Sequence, residues 1–322
     1  MNGSNISPTE TTDSRKPVGA SSTLDESPPV CRVHSAFMGP GGLRSGWRLF
    51  LYLAMSASLL FLILRLSHNL PRQGTSKLWA SICMQIAVTL AFLAPAWVMA
   101  RIERRPFGVY GLPRSGAFGR AFWAGILWGI AGLSGLMLAM RGLGAFYFGS
   151  LALHGERILK FAAFYAVLFL FVGLFEEFTF RGYTQFTLSQ GMGFWPAAVS
   201  LSFIFGTAHL TNPGEAWVGA LSAGLIGFFF CFTLRRTGNL WFAVGMHASW
   251  DWGESFLYSV PDSGGMSPGH LLNSSFHGAR WLTGGSVGPE GSVLAFVVVG
   301  LIWLVFDRVY PGEKMDPTRR AA

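Results

Sequence analysis

Eight apolar runs divide the chain, at residues 47–66, 78–100, 118–140, 160–186, 195–210, 216–234, 239–257 and 292–310. A hydrocarbon core about 30 Å thick needs about 20 consecutive apolar residues in a helix, and most of these runs approach that length. The pattern predicts an all-α fold, a polytopic integral membrane bundle of about eight transmembrane helices spanning residues 45–312. The fifth run is the shortest. It opens at Trp195-Pro196 and closes at Thr211-Asn212-Pro213-Gly214, where proline fits a helix's first turn but breaks its interior.

The segments between and around the runs are polar. Residues 1–44 are rich in Ser, Thr, Pro and Gly, with no apolar core near Met1, and are expected to form a disordered tail; 313–322 form a short C-terminal tail. Residues 103–116, ERRPFGVYGLPRSG, set arginines against Phe107, Tyr110 and Leu112 and read as an interfacial anchor. Residues 258–291 are too polar to span and too long for a turn. This loop carries His270, His277, Trp281 and Glu290, and it reads either as a lid or re-entrant loop or as a mobile connector in which the histidines are incidental.

Composition agrees with a bilayer as the solvent. Hydrophobic residues make up 51% and charged residues only 12%, half the charge content of an ordinary soluble domain. The net charge of +8 comes from Lys and Arg at the ends of apolar runs, which argues for orientation signals and against nucleic acid as a partner. Arg44, Arg48, the arginines of 101–120, Arg235, Arg236 and the basic C-terminal residues fall on one side of an even span count. Both termini are therefore expected in the cytoplasm, with the chain integral to a bacterial inner membrane. Cys31, Cys83 and Cys231 show no CxxC or metal spacing and read as free thiols.

Six ionisable residues interrupt the apolar runs: Glu176, Glu177, Arg181, His209, His247 and Asp251. Each charge at the bilayer centre costs about 2.5–3.5 kcal/mol, so the carboxylates and the arginine are expected to face one another. Spacing of four aligns Glu177 with Arg181, Phe205 with His209, and His247 with Asp251 on their helices. Adjacent Glu176 and Glu177 are rotated by about 100° and cannot share a role. The expectation is a Glu177–Arg181 ion pair and a Glu176 pointing across the bundle as general base, with His209 and His247 binding the water it activates or a metal holding that water.

Glu176-Glu177-x3-Arg181, Phe205-x3-His209 and His247-x3-Asp251, in this order, resemble the three motifs of the CPBP family of CAAX prenyl endopeptidases and bacteriocin-processing (Abi) proteins. The resemblance covers about residues 160–257, the motif-bearing core. It implies an intramembrane endopeptidase in which Glu176 is the base, Glu177 and Arg181 support it, and His209, His247 and Asp251 complete the site. Its substrate would be a membrane-associated peptide or protein. Asp251 stands where members of the family may carry Asn; an ionised aspartate only accepts hydrogen bonds, which leans toward a divalent metal such as zinc held by His209, His247 and Asp251. No HExxH stretch accompanies them. Two other readings stay open, a non-catalytic immunity or scaffold protein and, with no inverted repeat to favour it, an ion-coupled transporter.

Overall fold

The computed structural model describes residues 37–39, 42–68, 74–266 and 268–314. The chain divides into two units, Met1–Arg44 and Ser45–Ala322. In the first, β1 (Met38–Gly39) pairs antiparallel with β2 (Gly42–Leu43). The remainder of the expected disordered tail, and most of the expected C-terminal tail, lie outside the described residues.

The second unit is helical. Its helices are α1 (Ser45–Ser67), α2 (Gly74–Ile102), α3 (Arg120–Gly142), α4 (Glu156–Arg181), α5 (Tyr183–Met192), α6 (Phe194–His209), α7 (Trp217–Thr237), α8 (Trp241–Trp252), a four-residue α9 (Arg280–Thr283) and α10 (Val293–Val309). Every expected apolar run is helical, in keeping with a polytopic membrane bundle. Among the described residues, however, five stretches are long and apolar enough to cross a membrane unaided: Ser45–Ser67, Leu78–Ile102, Arg120–Gly142, Glu156–Met192 and Trp217–Thr237. The expected fifth, seventh and eighth spans are shorter. The expected 160–186 helix also ends early, because Gly182, with ψ −116°, leaves the helical region and starts α5 on a new axis.

The short α8 survives because protein surrounds it. Ten of its residues, from Trp241 to Asp251, are buried, and α3 and α4 pack along it. Glycines set the closeness of the α3 crossing: a Cβ on Gly245 would lie 2.2 Å from the Phe122 carbonyl oxygen. Small residues that let backbones approach are how helices associate in lipid, where burial of apolar surface alone gives little drive. The exterior is correspondingly apolar, with Leu159, Phe203 and Leu127 at least 70% exposed.

Beyond Trp252 the chain widens into a π-helical turn, Gly253–Tyr258. The following loop is strapped down. Its β4 (Ser275–Phe276) pairs with β3 (Phe146–Tyr147), Leu272 bridges Leu151, and Tyr165 of α4 donates to the Pro268 carbonyl at 2.6 Å. The loop is thus a fixed wall built against α4, where a mobile connector was one expectation.

At the other end, Glu103 gathers the 103–116 segment into the bundle. Its carboxylate accepts from Arg48, from Tyr110 at 3.1 Å and from Tyr183 at 2.5 Å. Phe107 stacks on Phe178, and the Trp241 indole donates to the Pro113 carbonyl at 3.0 Å. These contacts tie α1, α2, α5 and α8 together, which is the anchoring expected of the segment.

Candidate active site

The last turns of α4 carry Glu176, Glu177 and Arg181 into the middle of the bundle. Glu177 and Arg181 are fully buried, and Arg181 Nη1 donates to Glu177 Oε1 at 3.1 Å. The guanidinium lies 4.1 Å from the centre of the Phe205 ring, so one face of the cation rests on π density while its edge meets the carboxylate. Gly227 of α7 makes room for it, since a Cβ there would sit 2.2 Å from Arg181 Nη2.

Glu177 has a second partner that helical spacing did not reveal. The same Oε1 lies 2.8 Å from His247 Nδ1 on α8. The imidazole stacks on Phe230 and turns Nε2 toward two further carboxylates, 3.5 Å from Asp251 Oδ2 and 3.6 Å from Glu176 Oε2. Glu176 is rotated away from Glu177, as adjacency requires, and its Oε2 has no hydrogen-bond partner among the described residues.

His209 closes the last turn of α6. Its Nδ1 lies 2.8 Å from the Phe205 carbonyl oxygen. A carbonyl oxygen only accepts, so Nδ1 carries the proton and Nε2 of the neutral ring keeps its lone pair. The Phe205 ring packs edge-on beneath the imidazole at 4.6 Å. One aromatic side chain thus steadies both Arg181 and His209.

Glu176, His209, His247 and Asp251 line a single cavity of about 270 Å³. Its other polar walls are Asn212 just beyond α6, Ser255 in the π turn, and Asp262 and Ser263 in the loop, which the sequence pattern did not single out, together with Glu290 of the same loop. Burial, with the Asp251 and Glu290 carboxylates beside it, raises the Asp262 carboxyl well above the usual carboxylate range. His270 and His277 do not line the cavity; His277 instead packs on Tyr147 and meets Ser275 Oγ at 3.2 Å.

A zinc ion at His209, His247 and Asp251 would have to be held through Nε2 of each ring, since both Nδ1 atoms have partners. His247 Nδ1 is engaged by Glu177 and His209 Nδ1 by a backbone carbonyl. Among the described residues, the group of three potential ligands whose atoms all lie within 4.8 Å of one another is a different one, Glu254, Asp262 and Glu290.

Comparison with the curated proteins and with the solved structures finds no match. A family model does match: residues 158–253 correspond to the family described as Rce1-like, Type II CAAX prenyl endopeptidase. That stretch runs from α4 to the end of α8 and contains Glu176, Glu177, Arg181, His209, His247 and Asp251. Residues 158–253 are thus similar to the Type II CAAX prenyl endopeptidases of the CPBP family, a likeness that covers under a third of the chain and all six of these residues.

Proposed function

We propose that this chain hydrolyses a peptide bond of a membrane-associated polypeptide with water activated by Glu176. The observation that carries the reading is the Glu176 carboxylate: its Oε2 has no hydrogen-bond partner among the described residues, it lines the cavity, and it lies 3.6 Å from His247 Nε2. A water there would give one hydrogen bond to Glu176 and the other to the lone pair of His209 Nε2. Both acceptors make its oxygen more nucleophilic. As the oxygen attacks the scissile carbonyl carbon, Glu176 takes the proton. The same proton then passes to the leaving amine as the carbon–nitrogen bond breaks.

The carbonyl oxygen gains negative charge in the tetrahedral intermediate and needs donors. The Asn212 amide lines the same cavity, and a protonated His247 offers Nε2–H there. Glu177 acts at one remove: it holds His247 by Nδ1 and is itself held by Arg181, so the imidazole cannot turn. Asp251 caps the other side of the ring. No step in this scheme passes through a metal.

The apolar exterior and the five long helices make this an integral membrane protein. The basic ends of several helices meet at one end of the bundle: Arg48 bonds Glu103, Leu240 N–H donates to the Gly111 carbonyl at 2.8 Å, and Lys314 N–H donates to the Arg235 carbonyl at 3.0 Å. Such clustering supports a cytoplasmic location for both termini. The test compares newly formed polypeptide termini in membranes from cells carrying the native chain or Glu176→Gln. Termini that disappear with the variant, at equal protein abundance, identify substrates; identical termini in both would sink the reading.

A further inference from the structure

Three carboxylates meet at one wall of the cavity, two of them lining it and one buried behind, all outside the stretch matched by the family model. They are Glu254 in the π turn, Asp262 in the loop and Glu290 in the 3-10 turn (Pro289–Gly291) before α10. One oxygen of each lies within 4.8 Å of those of the other two. Asp262 Oδ2 accepts from Ser255 Oγ at 3.1 Å. Glu290 Oε2 accepts from the Ser263 backbone N–H at 3.2 Å and from its hydroxyl at 2.9 Å.

Glu254 is treated differently. It is fully buried, and neither of its oxygens accepts a hydrogen bond from any described residue. The one donor that acts on it is the indole N–H of neighbouring Trp250, which falls short of hydrogen-bond geometry. The charged groups that act on Glu254 are Glu290, Asp262 and Asp251, all acidic, with no arginine or lysine among them. A buried carboxylate with no well-formed hydrogen bond is costly, and setting it beside two others makes it more so unless a positive charge sits between them.

We propose that Glu254, Asp262 and Glu290 bind one hard divalent cation of calcium size. Oxygens all within 4.8 Å of one another can surround an ion with bonds of about 2.3–2.6 Å, and a set drawn from three separate segments suits calcium's flexible coordination better than the strict octahedron of Mg²⁺. An all-carboxylate set favours calcium over zinc, which takes nitrogen and sulfur readily. The serine hydroxyls orient two of the three ligands. The ion joins the end of α8, the loop and the start of α10, so its effect is to fix the wall opposite Glu176. It takes no part in the hydrolysis proposed above, and the two readings stand or fall separately.

The test uses the full-length protein in detergent, stripped with EGTA and titrated with CaCl2 while bound ion and thermal unfolding are followed. The expected result is one calcium per chain and a melting temperature that rises with calcium but much less with MgCl2. Asp262→Asn and Glu290→Gln should each bind roughly tenfold weaker or less tightly still. Glu254→Gln, which replaces the orphaned charge with a neutral amide, should fold without calcium and lose the thermal response. No stoichiometric calcium on the folded native chain, or undiminished binding in both Asp262→Asn and Glu290→Gln, would overturn the proposal and leave proton sharing among the carboxyls as the arrangement.

Discussion

Glu177 Oε1 is shared between Arg181 Nη1 at 3.1 Å and His247 Nδ1 at 2.8 Å. A single oxygen therefore ties the end of α4 to the middle of α8, and the orientation of His247 depends on an arginine it does not touch. This coupling separates residues that hold the site from those expected to do chemistry.

Breaking the Glu177–Arg181 pair from one side should cost more than removing both charges. Arg181→Met leaves the buried Glu177 carboxylate with His247 alone and without its fixed positive charge, a loss of about 3–5 kcal/mol. Glu177→Gln together with Arg181→Met should recover part of it. Thermal unfolding of the singles and the double in detergent checks this, and additive losses would contradict the coupling.

Gly227→Ala should act through Arg181. Its Cβ would collide with Nη2, and forcing extra volume into a packed site costs about 1–3 kcal/mol. Peptide cleavage should fall along with stability, and adding Arg181→Lys, which shortens the obstructing head, should restore part of both. A Gly227→Ala protein with native activity and melting temperature would show that α7 yields instead.

His209→Ala should lower kcat by about 100-fold or more, the usual worth of one group that positions or accepts a proton, with little change in melting temperature because the ring is partly exposed to the cavity. Phe205→Leu should show the reverse balance. It removes the one ring that packs against both Arg181 and His209, so stability should fall with activity.

Asp251→Asn should fold and keep activity within about tenfold of the native chain. Its side chain sits 3.5 Å from His247 Nε2, where an amide fills the same space and adds a donor. Asp251→Leu, equal in bulk but without polar atoms, should be far worse. Equal activity of the two variants would remove Asp251 from the site.

Much of this site was legible in the chain because membrane helices make ionisable residues conspicuous. Glu177 with Arg181, and His247 with Asp251, meet as four-residue spacing predicts. The eight apolar runs are likewise helices. Spacing along a helix says nothing, however, of which helix lies opposite, so the bond from Glu177 to His247 could not be read. Nor could the role of Gly182, an ordinary glycine in sequence whose backbone divides a long apolar run into α4 and α5. Glu254, Asp262 and Glu290 belong to three segments with no common period, and only the folded loop brings them together. One hint was available: Glu254 follows Asp251 by three residues, close to the stripe that already carries His247.

The π turn at Gly253–Tyr258 holds one residue more than an α-helical turn would use. Deleting a single residue there would let the helix close up, and everything after it would swing by about 100°. Ser255 and the chain leading to Asp262 would then leave the cavity, while His247 and Asp251, upstream of the change, would stay. The wall and the reactive face are thus joined through a phase offset in one helix, so a one-codon loss in this turn would do what no substitution in the motifs can: keep the reactive groups in register and turn the chamber around them inside out.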